Sequence, residues 1–324
     1  MSTNKNLRKA KNAKNDEFYT QLTDIEKELV HYKKHFKNKI IYCNCDNPLQ
    51  SKFWEYFHTN FEKIELKRLI ATYYDNFNIT YKLVYDGGND NNIKTYIKIQ
   101  LKGNGDFRSE ECVNILKESD IIVTNPPFSL FREFVAQLIK YNKKFLIVGN
   151  KNTVNCNEFF HLLKENKLWF GYEHPQEFDT PNGKTKKVQG LCRWFTNLDI
   201  EKRHEILKLH KQYIPKEYPT YDNYNAININ KICDIPYDYD GIMGVPITFF
   251  DKYNPEQFEI LGRSGDIKWA LTCGFFTPPS EEKQQQYKKY YKNWRVQNSY
   301  LLDTNNMPVC IYYRVFIKHK NNHL

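Results

Sequence analysis

The apolar run Ile121-Ile122-Val123 stops at Asn125-Pro126-Pro127-Phe128, four residues whose types suit one kind of chemistry. Two consecutive prolines fix φ and remove two N–H donors, which makes a stiff, extended turn. Such a turn lets the Asn125 side-chain oxygen and the Pro126 carbonyl converge on one point. An exocyclic amine carries two N–H donors that match two such acceptors. Holding both hydrogens favours a more tetrahedral nitrogen and returns its lone pair, otherwise delocalised into the ring, for attack on a methyl sulfonium. Phe128 offers a flat face on which a base can stack. This chemistry needs neither a metal nor a strong general base. The alternative is a proline turn that merely ends a strand. The Asn before the prolines, the aromatic after them and the flanking pattern favour the chemical reading.

The surrounding elements must hold that loop in place. Leu130, Phe131, Phe134, Val135, Leu138 and Ile139 mark one helix face, and Phe145-Leu146-Ile147-Val148-Gly149 reads as the next strand. Strand, loop, helix, strand is a βαβ unit, which predicts an α/β fold with a mostly parallel, doubly wound sheet. Ligands bind outside the carboxyl ends of such strands, where residues 125–128 fall. Upstream, Thr23-Asp24-Ile25-Glu26 has the form of a capping box, followed by Leu22, Ile25, Leu29, Tyr32 and Phe36 at helical spacing. Ile40–Cys43 reads as a strand, Leu49, Phe53, Trp54 and Phe57 as a second helix, and Leu69–Tyr73 as a second strand. Between 81 and 102 the spacing predicts a β-hairpin. In it Thr95, Ile97, Ile99 and Leu101 alternate with polar residues, after a turn at Asp86-Gly87-Gly88-Asn89. Past residue 200 the periodicity weakens, which divides a domain at 1–200 from a region at 201–324.

Composition narrows the partners. The 324 residues carry 48 Lys and Arg against 38 Asp and Glu, a net charge of +10. That surplus favours a polyanion, through counterion release, over a merely solvated lysine-rich surface only when other signs agree. Residues 1–15 hold Lys5, Arg8, Lys9, Lys11 and Lys14 with no acid, a basic arm in which Lys11 and Lys14 would lie on phosphates. The alternative is a frayed terminus. Eight cysteines include no CxxC pair, and the nine histidines form no cluster beyond His31 and His35 on one helix, so no metal site is expected. With no signal peptide and no apolar run of membrane-spanning length, reduced thiols and a cytoplasmic, non-membrane protein are expected.

Asn125 to Phe128, placed after a parallel strand, resembles the amino-methyltransferase signature of Asp, Asn or Ser followed by Pro-Pro and an aromatic. Asp16-Glu17-Phe18-Tyr19-Thr20 looks like the motif that holds the methionine part of the cofactor in that family. Tyr42-Cys43-Asn44-Cys45-Asp46-Asn47-Pro48 stands where the first cofactor loop belongs, and Gly105-Asp106-Phe107 where a carboxylate meets the cofactor adenine. With the run from Ile235 to Pro246 and Asp251 to Phe258, nearly the whole chain resembles the EcoRI-type adenine-specific (N6) DNA methyltransferases.

The resemblance implies a Rossmann-like S-adenosylmethionine-dependent fold, a doubly wound mixed sheet, on residues 1–200 and a target-recognition region after them. It implies S-adenosylhomocysteine as product, a flipped adenine in duplex DNA as substrate, and a type II restriction–modification setting. By analogy alone the site would be GAATTC. Catalysis then falls to Asn125, Pro126, Pro127 and Phe128. Cofactor binding falls to Phe18, Tyr19, Thr20, Asn44, Cys45, Asp46, Asp106 and Phe107, with Asp75 as a ribose ligand or a plain turn residue. One departure stands out: residues 43–48 contain no glycine, although nucleotide-binding loops usually need one for close backbone approach.

On the DNA side, Asp179 to Lys187 reads as a turn-rich basic loop, and Lys184, Lys186 and Lys187 are the candidate phosphate contacts, against the alternative of a solvated loop. Arg193 lies in a strand pattern and would pair with a core carboxylate or serve the site. A monomer is expected, with a companion endonuclease that makes no stable contact. Two other readings remain: a methyltransferase acting on RNA or on protein glutamine, and a non-catalytic DNA-binding protein. Cytosine-C5 chemistry is disfavoured because no Pro-Cys pair occurs, and a Rossmann oxidoreductase because no G-x-G-x-x-G occurs.

Overall fold

The computed structural model describes residues 19–88, 95–180, 185–188 and 190–320. Lys11, Lys14, Phe18 and Lys184, with the whole 1–15 arm, Asp16, Glu17 and Asn89, lie outside the described residues. The chain divides into two units. One takes residues up to Phe159 together with Leu168–Ile200; the other takes Phe160–Lys167 together with Glu201 onward.

In the first unit β1 (Tyr19–Thr20) leads into α1 (Leu22–Leu29), and a 3-10 turn joins this to α2 (Lys33–Phe36). Ile25, Leu29, Tyr32 and Phe36 are all fully buried, so the helical spacing survives the change of helix type. The capping box does not form. α1 starts at Leu22, the Gln21 carbonyl accepts from the N–H groups of Asp24 and Ile25, and Thr23 sits inside the first turn. That earlier start puts Leu22 on the stripe packed against the core.

Next come β2 (Ile40–Cys43), α3 (Lys52–Thr59), α4 (Phe61–Ile64) and β3 (Arg68–Ala71). Ser51 caps α3, its Oγ accepting from the Phe53 N–H at 3.3 Å. Leu49 is not part of that helix and is 64% exposed. The Asn47 carbonyl takes the Gln50 and Ser51 N–H groups in a separate turn ahead of the cap. β4 (Tyr81–Tyr85) and β5 (Ile97–Gln100) make the expected hairpin, but β5 is exposed throughout, so Ile97 and Ile99 do not face a core.

The remaining elements of this unit are α5 (Glu110–Glu118), β6 (Ile121–Thr124), α6 (Phe131–Lys140), β7 (Lys144–Asn150), α7 (Asn157–Lys164, which runs on into the second unit), β8 (Trp169–Phe170), β9 (Glu177–Asp179), β10 (Thr185–Lys187) and β11 (Cys192–Thr196). Eight strands form the main sheet in the order β5-β4-β3-β2-β6-β7-β11-β8. β3, β2, β6 and β7 run parallel, and every pairing outside them is antiparallel. The sheet is therefore mixed, as the resemblance implies, and the parallel strands that the βαβ pattern predicts are confined to its centre. Parallel neighbours need a crossover of a dozen or so residues. Residues 72–80 between β3 and β4 are fewer and non-helical, which leaves antiparallel pairing.

After β2 the chain moves to one side of it, to β3, and later returns on the other side as β6. This reversal opens a crevice at the carboxyl ends of β2 and β6. Beneath it lies a core of Ile41, Phe53, Trp54, Leu69, Val123, Leu146 and Trp194. β1, β9 and β10 form a separate three-stranded antiparallel sheet.

The second unit holds β12 (Ile227–Asn228), β13 (Met243–Pro246), β14 (Phe258–Arg263), α8 (Ile267–Thr272), α9 (Glu281–Tyr290), β15 (Tyr300–Leu302), β16 (Pro308–Cys310) and β17 (Arg314–His319). Its four-stranded sheet runs β12-β13-β17-β14. Much of the aromatic surplus is spent on its core, where Tyr221, Tyr224 and Phe316 pack with Trp269, Phe275 and Phe276. The Trp269 indole lies over Gly262, where any side chain would collide with it. No helix among the described residues is long and apolar enough to cross a membrane.

Candidate active site

Two loops leave the sheet side by side at the crevice, one after β2 and one after β6. The Thr124 hydroxyl at the end of β6 donates to the Asn44 carbonyl just past β2, and both groups are buried. That bond fixes the start of Asn125-Pro126-Pro127-Phe128 against the start of the candidate cofactor loop. Asn125 is only 5% exposed and Pro126 is buried, while Pro127 and Phe128 are half-buried. The Leu130 N–H donates to the Pro127 carbonyl at 2.9 Å, which turns the chain into α6.

The missing glycine has a structural answer. Cys45 itself takes the left-handed conformation, with φ +81°. A non-glycine residue held there costs on the order of 1–3 kcal/mol, and such strain clusters at ligand sites. Burial pushes the Cys45 thiol well above its ordinary range, and the carboxylates of Asp46 and Asp106 add to the effect, which brings both acids into its surroundings. Ser51 reaches Asp46 Oδ2 at 3.5 Å.

Gly105 closes the other wall. Its φ is +75°, and a side chain there would strike the Tyr73 carbonyl. The Asp75 N–H also donates to the Asn104 carbonyl at 3.0 Å, so the loop after β3 and the loop before α5 run together. Asp75 uses both carboxylate oxygens in its own turn, accepting from the Phe77 N–H at 2.8 Å and from Asn78 Nδ2 at 2.9 Å. Asp106 is bound by Arg108 through both oxygens, at 2.9 and 2.6 Å, and that guanidinium lowers its pKa. Phe107 is buried, edge-on to Phe134 with ring centroids 5.1 Å apart.

Buried polar atoms test whether these residues suit a polar ligand. Thr20 Oγ1 and Asn44 Oδ1 are both sealed from solvent and meet no hydrogen-bond partner among the described residues. Leaving such an atom unsatisfied costs about 1–3 kcal/mol. Both belong to segments that the sequence assigned to the cofactor; a ligand's amino group would donate to Asn44 Oδ1, and the Thr20 hydroxyl would donate to a ligand carboxylate. Among the described residues no group of three or more His, Cys, Asp or Glu side chains is arranged to hold a metal.

The small sheet links the other two segments. Thr20 on β1 lies opposite Phe178 on β9, and Phe178 lies opposite Lys186 on β10. Tyr19, Thr20, Lys186 and Lys187 thus share three adjacent strands. Lys187 is exposed and pairs with Glu177 at 3.2 Å. Phe178 is fully buried, and its ring meets that of Phe128.

Several residues that matter here were not singled out from the sequence. Glu28 on α1 is 0% exposed. Its carboxylate accepts from the Tyr32 hydroxyl at 2.6 Å, the Tyr172 N–H at 3.0 Å and the Glu173 N–H at 2.6 Å. One turn earlier, Asp24 accepts from the Gln176 N–H at 3.2 Å. Two carboxylates of one helix therefore hold the segment that runs into β9 and Phe178. A signal existed: Glu28 falls on the same stripe as Ile25, Leu29 and Tyr32, where a charge needs a structural reason. Arg193 is buried and donates to the carbonyls of Gly190 and Cys192 at 3.1 and 2.8 Å. His31 stacks on Tyr172 at 3.8 Å, and His35 Nε2 lies 2.6 Å from the Asp199 carbonyl, so the two histidines serve different contacts.

Residues 6–320 match the family described as adenine-specific methyltransferase EcoRI. The type II methyltransferase M.EcoRI of Escherichia coli is 47% identical, over 88% of this chain and 98% of its own length. M.MgeORF184P of Mycoplasma genitalium is 43% identical and M.MpnI of Mycoplasma pneumoniae 39%, each over 78% of this chain and 84% of its own. No solved structure matches the chain.

Proposed function

Because the chain belongs to the EcoRI family of adenine-specific methyltransferases, we propose that Asn125, Pro126 and Phe128 present a flipped adenine N6 to S-adenosylmethionine seated between the loops after β2 and β6. Family membership makes the chain an S-adenosylmethionine-dependent DNA adenine methyltransferase of the type II restriction–modification kind. The mixed sheet with its parallel centre is consistent with a Rossmann-like methyltransferase fold. The observation that carries the assignment of residues is the Thr124–Asn44 bond, which sets the two loops against each other.

Bound S-adenosylmethionine supplies an electrophilic methyl group. Thr20, Asn44, Cys45 and Asp46 would hold its methionine and ribose side, together with Tyr19 and, from the sequence motif, Phe18. Asp106 and Phe107 would receive its adenine; Asp75 is committed to its own turn. Asn125 Oδ1 and the Pro126 carbonyl accept the two N6 hydrogens, and Pro127 keeps both acceptors rigid. The N6–methyl bond forms as the sulfur–methyl bond breaks, and N6 then releases one proton to solvent. Phe128 stacks on the extruded purine.

Residues 201–324 are read as the target-recognition region. Lys11, Lys14, Lys184, Lys186 and Lys187 are read as phosphate contacts, in a cytoplasmic monomer that makes no stable contact with a companion endonuclease. Tritium transfer from labelled cofactor to plasmid DNA, total RNA and protein extract tests the substrate class. Label in DNA alone is expected; label confined to RNA or protein overturns the reading.

A further inference from the structure

Charge in the second unit is sorted along the chain. Residues 201–282 carry nine Lys and Arg against thirteen Asp and Glu, whereas residues 283–320 carry eight against one, Asp303. The positive end begins on α9 and continues through the turn after it. From 283 to 302 there is no acid, and Lys283, Lys288, Lys289, Lys292 and Arg295 are all exposed. Some surface lysines elsewhere do meet an acid, as in Lys37–Glu65 at 2.8 Å, Lys52–Glu55 at 2.6 Å and Lys167–Glu165 at 2.6 Å.

This basic stretch is held firmly. Tyr287, Trp294 and Tyr300 are buried against one another, with ring centroids 5.5 to 5.9 Å apart, and form a small core of their own. The Tyr291 N–H donates to the Tyr287 carbonyl at 3.0 Å and closes α9 at an extended Tyr291, and the Trp294 N–H donates to the Tyr291 carbonyl at 2.9 Å in the turn that follows. Tyr287 and Trp294 point inward, so the cations around them and the exposed rings of Tyr290 and Tyr291 are displayed outward. An exposed run of like charge on an ordered scaffold repels itself unless a counter-charge sits on it. Among the described residues none of these five cations forms an ion pair; the acids that flank the stretch are Glu281 and Glu282 in the first turn of α9, Asp303 after it, and Asp222, whose carboxylate accepts from the Tyr300 hydroxyl at 3.3 Å.

We propose that this face, centred on Lys288, Lys289, Lys292 and Arg295, grips the phosphate backbone of duplex DNA without reading its sequence. The proposal rests on the DNA methyltransferase reading above and adds where the second unit takes hold of the duplex. Backbone contacts fix register and orientation but carry no base information, so the face would add the same affinity to any duplex.

The test measures binding of the full chain to two duplexes, one containing the methylated site and one lacking it, across a range of salt concentrations. The variants are Lys288→Ala/Lys289→Ala/Lys292→Ala/Arg295→Ala and the milder Lys288→Gln/Lys289→Gln, both on exposed side chains. Each lost contact should flatten the slope of log K against log salt by about 0.9, so the quadruple variant should lose up to about 3.6 and the pair about 1.8. Affinity should fall by one common factor on both duplexes, with kcat at saturating DNA unchanged. An unchanged slope in the folded pair overturns the proposal, as does a loss confined to the methylated site, which would make the face a base reader. If the unaltered protein binds no duplex in a salt-dependent way, the DNA reading itself fails; if only the variants match it, this inference alone fails.

Discussion

The Phe128 ring meets the Phe178 ring edge-on, with centroids 6.4 Å apart and planes at 85°. One ring follows the two prolines of the crevice loop; the other lies on the central strand of the small sheet, opposite Thr20. An edge-to-face pair sets the orientation of the outer ring, because the positive rim of one meets the negative face of the other. Phe178→Leu keeps the volume roughly constant and should cost less than about 1.5 kcal/mol of stability. It should still lower kcat several-fold, with the KM for cofactor unchanged. Thermal unfolding and steady-state kinetics on the same preparation check this, and equal kcat in both proteins argues against orientation of Phe128 by Phe178.

Gly105 should not tolerate a methyl group. Gly105→Ala combines a left-handed φ of +75° with a collision against the Tyr73 carbonyl. The backbone term alone is on the order of 1–3 kcal/mol. Since Asp106 follows directly, binding of S-adenosylhomocysteine measured by calorimetry should weaken by more than about tenfold, corresponding to ~1.4 kcal/mol. Normal affinity in the variant would remove residues 105–107 from the cofactor site.

Arg108 holds the Asp106 carboxyl below its ordinary value of 3.8. A depressed carboxylate contributes above its unfolded pKa and loses that contribution only as pH falls through the lower folded value. Cofactor-product affinity should therefore show no Asp106 titration between about pH 5 and about pH 8. Arg108→Ala should let that pKa rise and weaken binding by up to about tenfold. A variant with unchanged affinity would mean that the pair is only a surface ornament of the loop.

Glu28 is expected to be structural first and functional through structure. Glu28→Ala strands the Tyr172 and Glu173 N–H groups and the Tyr32 hydroxyl, each costing about 1–3 kcal/mol when left buried and unpaired. Thermal unfolding should show a drop of many degrees. The milder Asp24→Ala removes one 3.2 Å bond to Gln176 and should leave the fold intact. Its effect on kcat should vanish when Phe128 is already Ala, since both act through one ring. Additive losses would place Asp24 outside that chain of contacts.

Much of the crevice was legible because its signals are local. Two prolines between an Asn and a Phe, after Ile121–Val123 and before the Phe131–Leu138 stripe, specify strand, stiff turn and helix within twenty residues. The glycine-free loop at residues 43–48, the candidate cofactor loop, was harder. Its left-handed residue is Cys45, and no propensity points to a cysteine there; the Thr124–Asn44 bond joins residues eighty apart. Glu28 and Phe178 escaped for the same reason, since each acts on a segment some 50 to 150 residues away. The antiparallel β4–β5 hairpin was legible from its alternation and turn, but the antiparallel placement of β11 and β8 was not, because strand direction follows connection geometry, and strand composition does not carry it. Beyond residue 200, short strands and 3-10 turns around an aromatic core leave little periodicity to read, although the charge sorting there is plain in the sequence.

Asn125 is assigned the part of holding the adenine amine for transfer. Mapping N6-methyladenine in DNA from cells expressing the intact chain or Asn125→Ala, with duplex affinity measured on both purified proteins, tests it directly. The intact chain should mark adenines within one sequence. The variant should lose at least about 100-fold in rate, ~2.7 kcal/mol, while binding the same duplex within a few-fold. Undiminished methylation by Asn125→Ala, or equal losses of binding and rate, would contradict the assignment.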